Sequence, residues 1–127
     1  MNKLFINLTN HPSSKWGEKQ LEAALELVDN SPIIDIQFPN VKPELTSKEV
    51  YDLAKEYADK IVNLVLEYES SMCVVHVMGE MTFTFHIVEM LKQIPRIICT
   101  ASTTRRITKE ENGVKTSIFE FVQFRPY

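Results

Sequence analysis

The stretch MCVVHVMG (residues 72–79) is apolar at nearly every position and rich in valine, with one histidine inside it. A strand with one wet face alternates apolar and polar residues; a near-continuous apolar run predicts a strand covered on both faces, as in a parallel sheet. The flanking segments supply the cover. From Ser47 to about Tyr68, apolar residues recur at 50, 53, 54, 57, 58, 61, 62, 65 and 66, the spacing of a helix laid on a sheet. Downstream, residues 82–93 read as another helix, stopped by Pro95.

The rest of the chain repeats this alternation. Lys3 to Leu8 reads as a short buried strand, and Gly17 to Val28 puts apolar residues at 21, 24, 25 and 28 on one helical face. Asp29-Asn30-Ser31-Pro32 ends that helix, because proline disfavours helical geometry in the residue before it. Ile33 to Phe38 is a second strand, closed by Pro39, and a loop containing Pro43 leads to Ser47, expected to cap the long helix. Residues 96–101 (RIICTA) form a fourth strand. Asn112-Gly113 then sits between two β-prone runs, a strong hairpin signal. The last arm alternates apolar and polar from Ile118 to Phe124, as a half-buried strand does. The order predicts one α/β domain over residues 1–127, a three-layer Rossmann-like sandwich. Its sheet should be mostly parallel, ordered near 2-1-3-4, with a C-terminal β-hairpin extending one edge.

Composition narrows the function. With 44% hydrophobic residues the chain can bury a real core, and a formal charge of −3 argues against a coat of long phosphate backbone. A local cationic pocket for a small anion is compatible with that charge. Cys73 and Cys99 lie in apolar strands and read as core thiols in a reducing compartment. The N-terminal residues lack the pattern of a signal peptide, and no stretch approaches the roughly 20 apolar residues that span a bilayer. A cytoplasmic protein is expected. Only three glycines occur, at 17, 79 and 113, with neither a dinucleotide GxGxxG nor a P-loop, so NAD, FAD and P-loop ATP chemistry are not expected. The three histidines show no metal-binding spacing, so neither a metal nor a cofactor is expected. His76 reads as a satisfied interior residue. No GxSxG elbow is present, so no serine–histidine–acid triad can be placed.

In an open parallel sheet, ligands sit beyond the carboxyl ends of the strands where the strand order reverses. That rule selects three polar segments, residues 9–16, 79–82 and 100–106, all expected to be loops. The first supplies Asn10, His11, Ser13, Ser14, Lys15 and Trp16. Its serines can cap the following helix or, with Lys15, hold an anion at the helix entry. Trp16 reads as a wall residue. The second supplies Gly79, Glu80 and Thr82, with Gly79 permitting close approach of a ligand. Glu80 serves either as a first-turn carboxylate or as a ribose acceptor and general base. The third supplies Ser102, Thr103, Thr104, Arg105 and Arg106, three hydroxyls beside two guanidiniums suited to phosphate.

Five stretches carry a resemblance: NLTNHPSSKW, VDNSPIIDIQFPNVKP, VHVMGEMTFTFHIV, ASTTRR and FEFVQFRPY. Together they resemble the stand-alone Rossmann-like proteins of type III CRISPR systems, relatives of the CARF sensor fold. Some of those are ring nucleases and others sequester cyclic oligoadenylate. The resemblance implies a homodimer with the cyclic ligand lying across its two-fold axis. It also implies metal-independent cleavage, in which a ribose 2′-hydroxyl attacks the adjacent phosphate. On that reading Lys15, Arg105 and Arg106 hold phosphate, Asn10, Trp16, Gly79, Thr82, Ser102 and Thr104 complete the binding site, and Ser13, Ser14 and Thr103 donate hydrogen bonds. His11 or Glu80 would transfer the proton. Three alternatives stay open: sequestration without chemistry, a deoxyribosyltransferase-like enzyme using Glu80, and a structural dimer module.

Overall fold

A computed structural model describes residues 2–127. Its elements are β1 (Asn2–Thr9), α1 (Glu18–Leu27), β2 (Ile33–Gln37), α2 (Ser47–Glu67), β3 (Ser70–Val77), α3 (Met81–Leu91), β4 (Ile97–Glu111) and β5 (Val114–Pro126). Among the described residues the strands form one sheet, ordered β2-β1-β3-β4-β5. The first four run parallel and β5 returns antiparallel to β4. This is the expected α/β sandwich with its hairpin at one edge.

The two faces of the sheet are unequal. Leu4, Ile6 and Leu8 of β1, with Cys73, Val75 and Val77 of β3, pack under α2 and α3 in the larger core. The alternate positions, Phe5 and Val74, meet Ala24 and Val28 of α1, with Trp16 and Phe124 filling in. One short helix thus covers a face that needs more, and polar side chains gather where that cover ends.

Local details depart from expectation in three places. The long helix is capped by Thr46 rather than Ser47, in a capping box: Glu49 N–H donates to Thr46 Oγ1 at 3.2 Å, and Thr46 N–H donates to Glu49 Oε1 at 3.0 Å. The helix after Gly17 has no side-chain cap; Ser13–Lys15 instead make a single 3₁₀ turn ahead of it. Most consequentially, residues 102–106 are not a loop. β4 runs on through them to Glu111, paired with β5, and the Asn112-Gly113 turn closes the hairpin with both residues at positive φ. The β-branched run of Thr103, Thr104, Ile107 and Thr108 favours that extension. The strand expected to be half-buried from Ile118 to Phe124 begins with two exposed residues, Ile118 and Phe119; Phe119 is 70% accessible.

Gly79 has a packing role. A Cβ there would lie 2.3–2.6 Å from the ring of buried Phe38, which stacks edge-on against Phe83 at 4.9 Å. The close approach of Phe38 alone requires glycine here. Gly79→Ala should therefore lower unfolding free energy by about 1–3 kcal/mol, as overpacking does in a filled core. Urea denaturation checks this; an unchanged midpoint would mean that the ring moves freely.

Candidate functional site

Four polar residues, Asp35, Asn7, His76 and Thr100, occupy one row across the sheet. Asn7 of β1 pairs in register with Asp35 of β2 on one side and with His76 of β3 on the other. Register neighbours point to the same face, here the thinly covered α1 side. Asn7 is 1% exposed and His76 3%, so each must find partners within the protein.

They find each other. Asn7 Nδ2 donates to Asp35 Oδ1 at 2.8 Å and to the His11 carbonyl at 2.9 Å. Both partners only accept, which fixes the orientation of the carboxamide. Asn7 Oδ1 therefore faces the Thr9 hydroxyl at 3.0 Å and His76 Nδ1 at 3.0 Å. An oxygen acceptor requires a proton on Nδ1, which leaves the Nε2 lone pair of neutral His76 directed at Ser102 Oγ, 3.1 Å away. The Ser102 hydroxyl is the donor in that contact. Met78 Sδ, 3.1 Å from the same oxygen, is the weaker acceptor. The chain Asp35–Asn7–His76–Ser102 thus has a defined direction, assigned from its partners.

Electrostatics agree. Burial pushes His76 down to about 4, so the ring is neutral through the physiological range. At Asp35 burial raises the pKa, but hydrogen bonds from Asn7 and from Ser13 outweigh it, and the carboxyl lies below its ordinary value. Ser13 gives its N–H to Asp35 Oδ1 at 2.9 Å and its hydroxyl to Oδ2 at 2.7 Å. Both donors of Ser13, one of the residues expected to hold an anion, are taken up by this carboxylate of β2.

Asp35 is exposed at one end of this chain, and half-buried Ser102 meets a cavity at the other. A cavity of about 390 Å³ lies beyond the strand ends, lined by Asn10, His11, Trp16, His76, Ser102 and Thr104. Gly79 and Met78 form part of its rim, and Gln20 of α1 reaches into it. Trp16 is held as a wall, edge-on to Phe5 at 5.9 Å and to His76 at 5.7 Å, with Nε1 donating to the His11 carbonyl at 3.2 Å. A second hollow of about 460 Å³ shares His11, Trp16 and Gln20 and adds Lys15 and Lys19.

Other expected site residues lie elsewhere. Glu80 caps α3, accepting from Phe83 N–H at 2.8 Å; that bond holds its carboxyl below the ordinary range. It does not line the cavity but a neighbouring hollow, with Gln37, Phe38, Tyr57 and the shared Asn10. Thr82 and Ser14 are exposed and line neither the cavity nor the lysine-bearing hollow. Thr103 hydrogen-bonds the Gln123 backbone across the hairpin. Arg106 shares the face of Thr104 one strand period further out, where its guanidinium donates to Ser117 Oγ at 3.1 Å. Arg105 alternates to the opposite face and does not line the cavity.

Asn7, Asp35, His76, Lys19 and Gln20 were not expected as site residues. Asn7 and His76 carried a signal, since each is a lone polar residue inside an apolar run. Among the described residues, no three His, Cys, Asp or Glu side chains are placed to share a metal ion, and no helix is long and apolar enough to cross a membrane.

Residues 3–125 match the model of the family described as "Uncharacterized protein MJ1673 family", and the chain belongs to that family. No curated protein and no solved structure matches the chain.

The site has a stability signature. His76 resists a proton that the unfolded chain accepts below about pH 6.5. Unfolding therefore gains protons between about pH 6.5 and 4, and stability falls as pH drops through that window. Urea titrations should show a loss of about 2 kcal/mol between pH 7 and 4.5. His76→Gln should flatten that slope; an equal slope in the variant would place the titrating group elsewhere.

Proposed function

We propose that this MJ1673-family chain binds a cyclic oligoadenylate over the carboxyl ends of β1, β3 and β4 and opens the ring without a metal. The observation that carries this reading is the crevice at the point where the strand order reverses. Amide, hydroxyl and imidazole groups line it beside a tryptophan wall, and a lysine-bearing hollow adjoins it. Its volume falls within the roughly 300–1,000 Å³ usual for small-molecule sites. The resemblance drawn from the sequence motifs supplies the ligand class.

In the proposed step a ribose 2′-hydroxyl attacks the neighbouring phosphorus. Its proton passes to a base, the bond from phosphorus to the 5′-oxygen breaks, and that oxygen takes up a proton. The products are a 2′,3′-cyclic phosphate and a 5′-hydroxyl. His11 is the exposed imidazole common to both hollows, which suits it to the proton transfer. Lys15 and Lys19 meet phosphate, while Asn10, Ser102 and Thr104 supply neutral hydrogen bonds. Glu80 already serves as a helix cap, so the reading gives it no chemical role.

Two copies are proposed to share the ligand. The free edge of β5 and the exposed Ile118 and Phe119 favour self-association. Because Glu80 is taken up by α3 and His76 is shielded, sequestration of the intact ring is the second reading.

Labelled cyclic tetra-adenylate incubated with the protein in EDTA should be retained and converted to a linear product. Lys15→Ala should weaken retention roughly tenfold, the order of one charge-assisted phosphate contact. His11→Ala should stop conversion while the ring still binds. Retention of intact ring by the native chain selects sequestration; no retention contradicts both readings.

A further inference from the structure

We propose a second chemistry for the crevice, independent of the cyclic-nucleotide reading: Ser102 is a nucleophile toward small carboxylic esters and thioesters, with His76 as its base and Asn7 as the positioning residue. Three features carry this. Ser102 Oγ lies 3.1 Å from His76 Nε2, and His76 Nδ1 lies 3.0 Å from Asn7 Oδ1. The tautomer is forced, because the Asn7 amide nitrogen is already engaged by Asp35 and the His11 carbonyl. Ser102 and His76 also line one open cavity, with His76 itself only 3% exposed.

Serine, imidazole and carboxamide in this order reproduce the logic of an activated nucleophile, in which a third group orients the base. The fold reaches it without a nucleophile elbow. β3 supplies the base, β4 the serine two residues beyond Thr100, the register partner of His76, and β1 the orienting amide.

The step balances within these groups. Ser102 Oγ attacks the acyl carbon as its proton moves to His76 Nε2. Collapse of the tetrahedral intermediate expels the alkoxide or thiolate, which takes that proton from His76. Water then attacks the acyl-serine ester, gives a proton to His76, and restores Ser102 as the acid leaves. Asn10 lines the same cavity, and its Oδ1 accepts from Gln37 Nε2 at 3.3 Å. Its own amide hydrogens are then available to the oxyanion. Met78 and Trp16 give the acyl group apolar walls.

A fluorophosphonate probe with peptide mapping tests this on the full chain. The expected result is one adduct, on Ser102, absent from Ser102→Ala and formed at least about a hundredfold more slowly in His76→Gln, within the range usual for general-base assistance. Should His76→Gln fail to fold by circular dichroism, the pH profile of the native chain decides. His76, whose titratable neighbours are Asp35 through Asn7 and, at the cavity mouth, His11, keeps its base form well below neutrality. The labelling rate should therefore stay level from pH 8 to 5.5. No adduct on Ser102 overturns the proposal. So does a rate that rises tenfold per pH unit, the mark of unassisted attack, or one that titrates near 6.5, the mark of an ordinary histidine. The cyclic-nucleotide assay reads retention of a different ligand, so either proposal can fail while the other stands.

Discussion

The carboxamide of Asn7 is the contact on which the rest of the site depends. It is buried in the middle of β1, and it joins three strands through side chains as well as through the ladder. An unpartnered amide at this depth would cost on the order of 1–3 kcal/mol. Satisfying it requires an acceptor on β2, a donor on β3 and a carbonyl from the loop after β1. The sequence meets each demand, with Asp35, His76 and His11. A slip of one residue in any of these strands would turn a member of the row to the other face. The network therefore fixes register as well as polarity.

The asymmetry of the sandwich explains why the network lies on this face. α2 and α3 close one side with aliphatic and aromatic packing, and Cys73 and Cys99 serve there as small core groups, burial pushing their thiols up to about 12 and about 11. On the other side α1 is short and the chain enters it through a 3₁₀ turn tied to Asp35. Cover then falls to Trp16 and Phe124, and these rings leave a crevice beside them. The polar row ends in that crevice, at Ser102.

Much of the fold was legible because both periodicities were strong. The valine-rich run at β3 and the paired apolar positions of α2 each allow one reading, and Asn112-Gly113 marked the hairpin turn. The end of β4 was misread because hydroxyl and charged side chains there suggested a loop. Their backbones are paired with β5, an interaction more than ten residues distant that no local pattern reports. The site was only half legible for a similar reason. The rule of strand ends found Asn10, His11, Trp16, Ser102 and Thr104, all of which line the cavity. It also gathered Glu80 and Arg105, which helix capping and strand alternation carry away. The alignment of Asn7, Asp35 and His76 is not marked by any local pattern, since it depends on register across separate strands. His76 was expected to be a satisfied interior residue and is one; its partner on the outer side is what the sequence could not supply.

The central claim is that Asn7 holds His76 neutral with its proton on Nδ1, leaving Nε2 to Ser102. Imidazole ¹⁵N shifts measured across a pH series read that arrangement in the native chain. The account predicts a protonated, pyrrole-type Nδ1 and a pyridine-type Nε2, unchanged from neutral pH to about pH 5. A proton on Nε2, or a ring that titrates near 6.5, would contradict it.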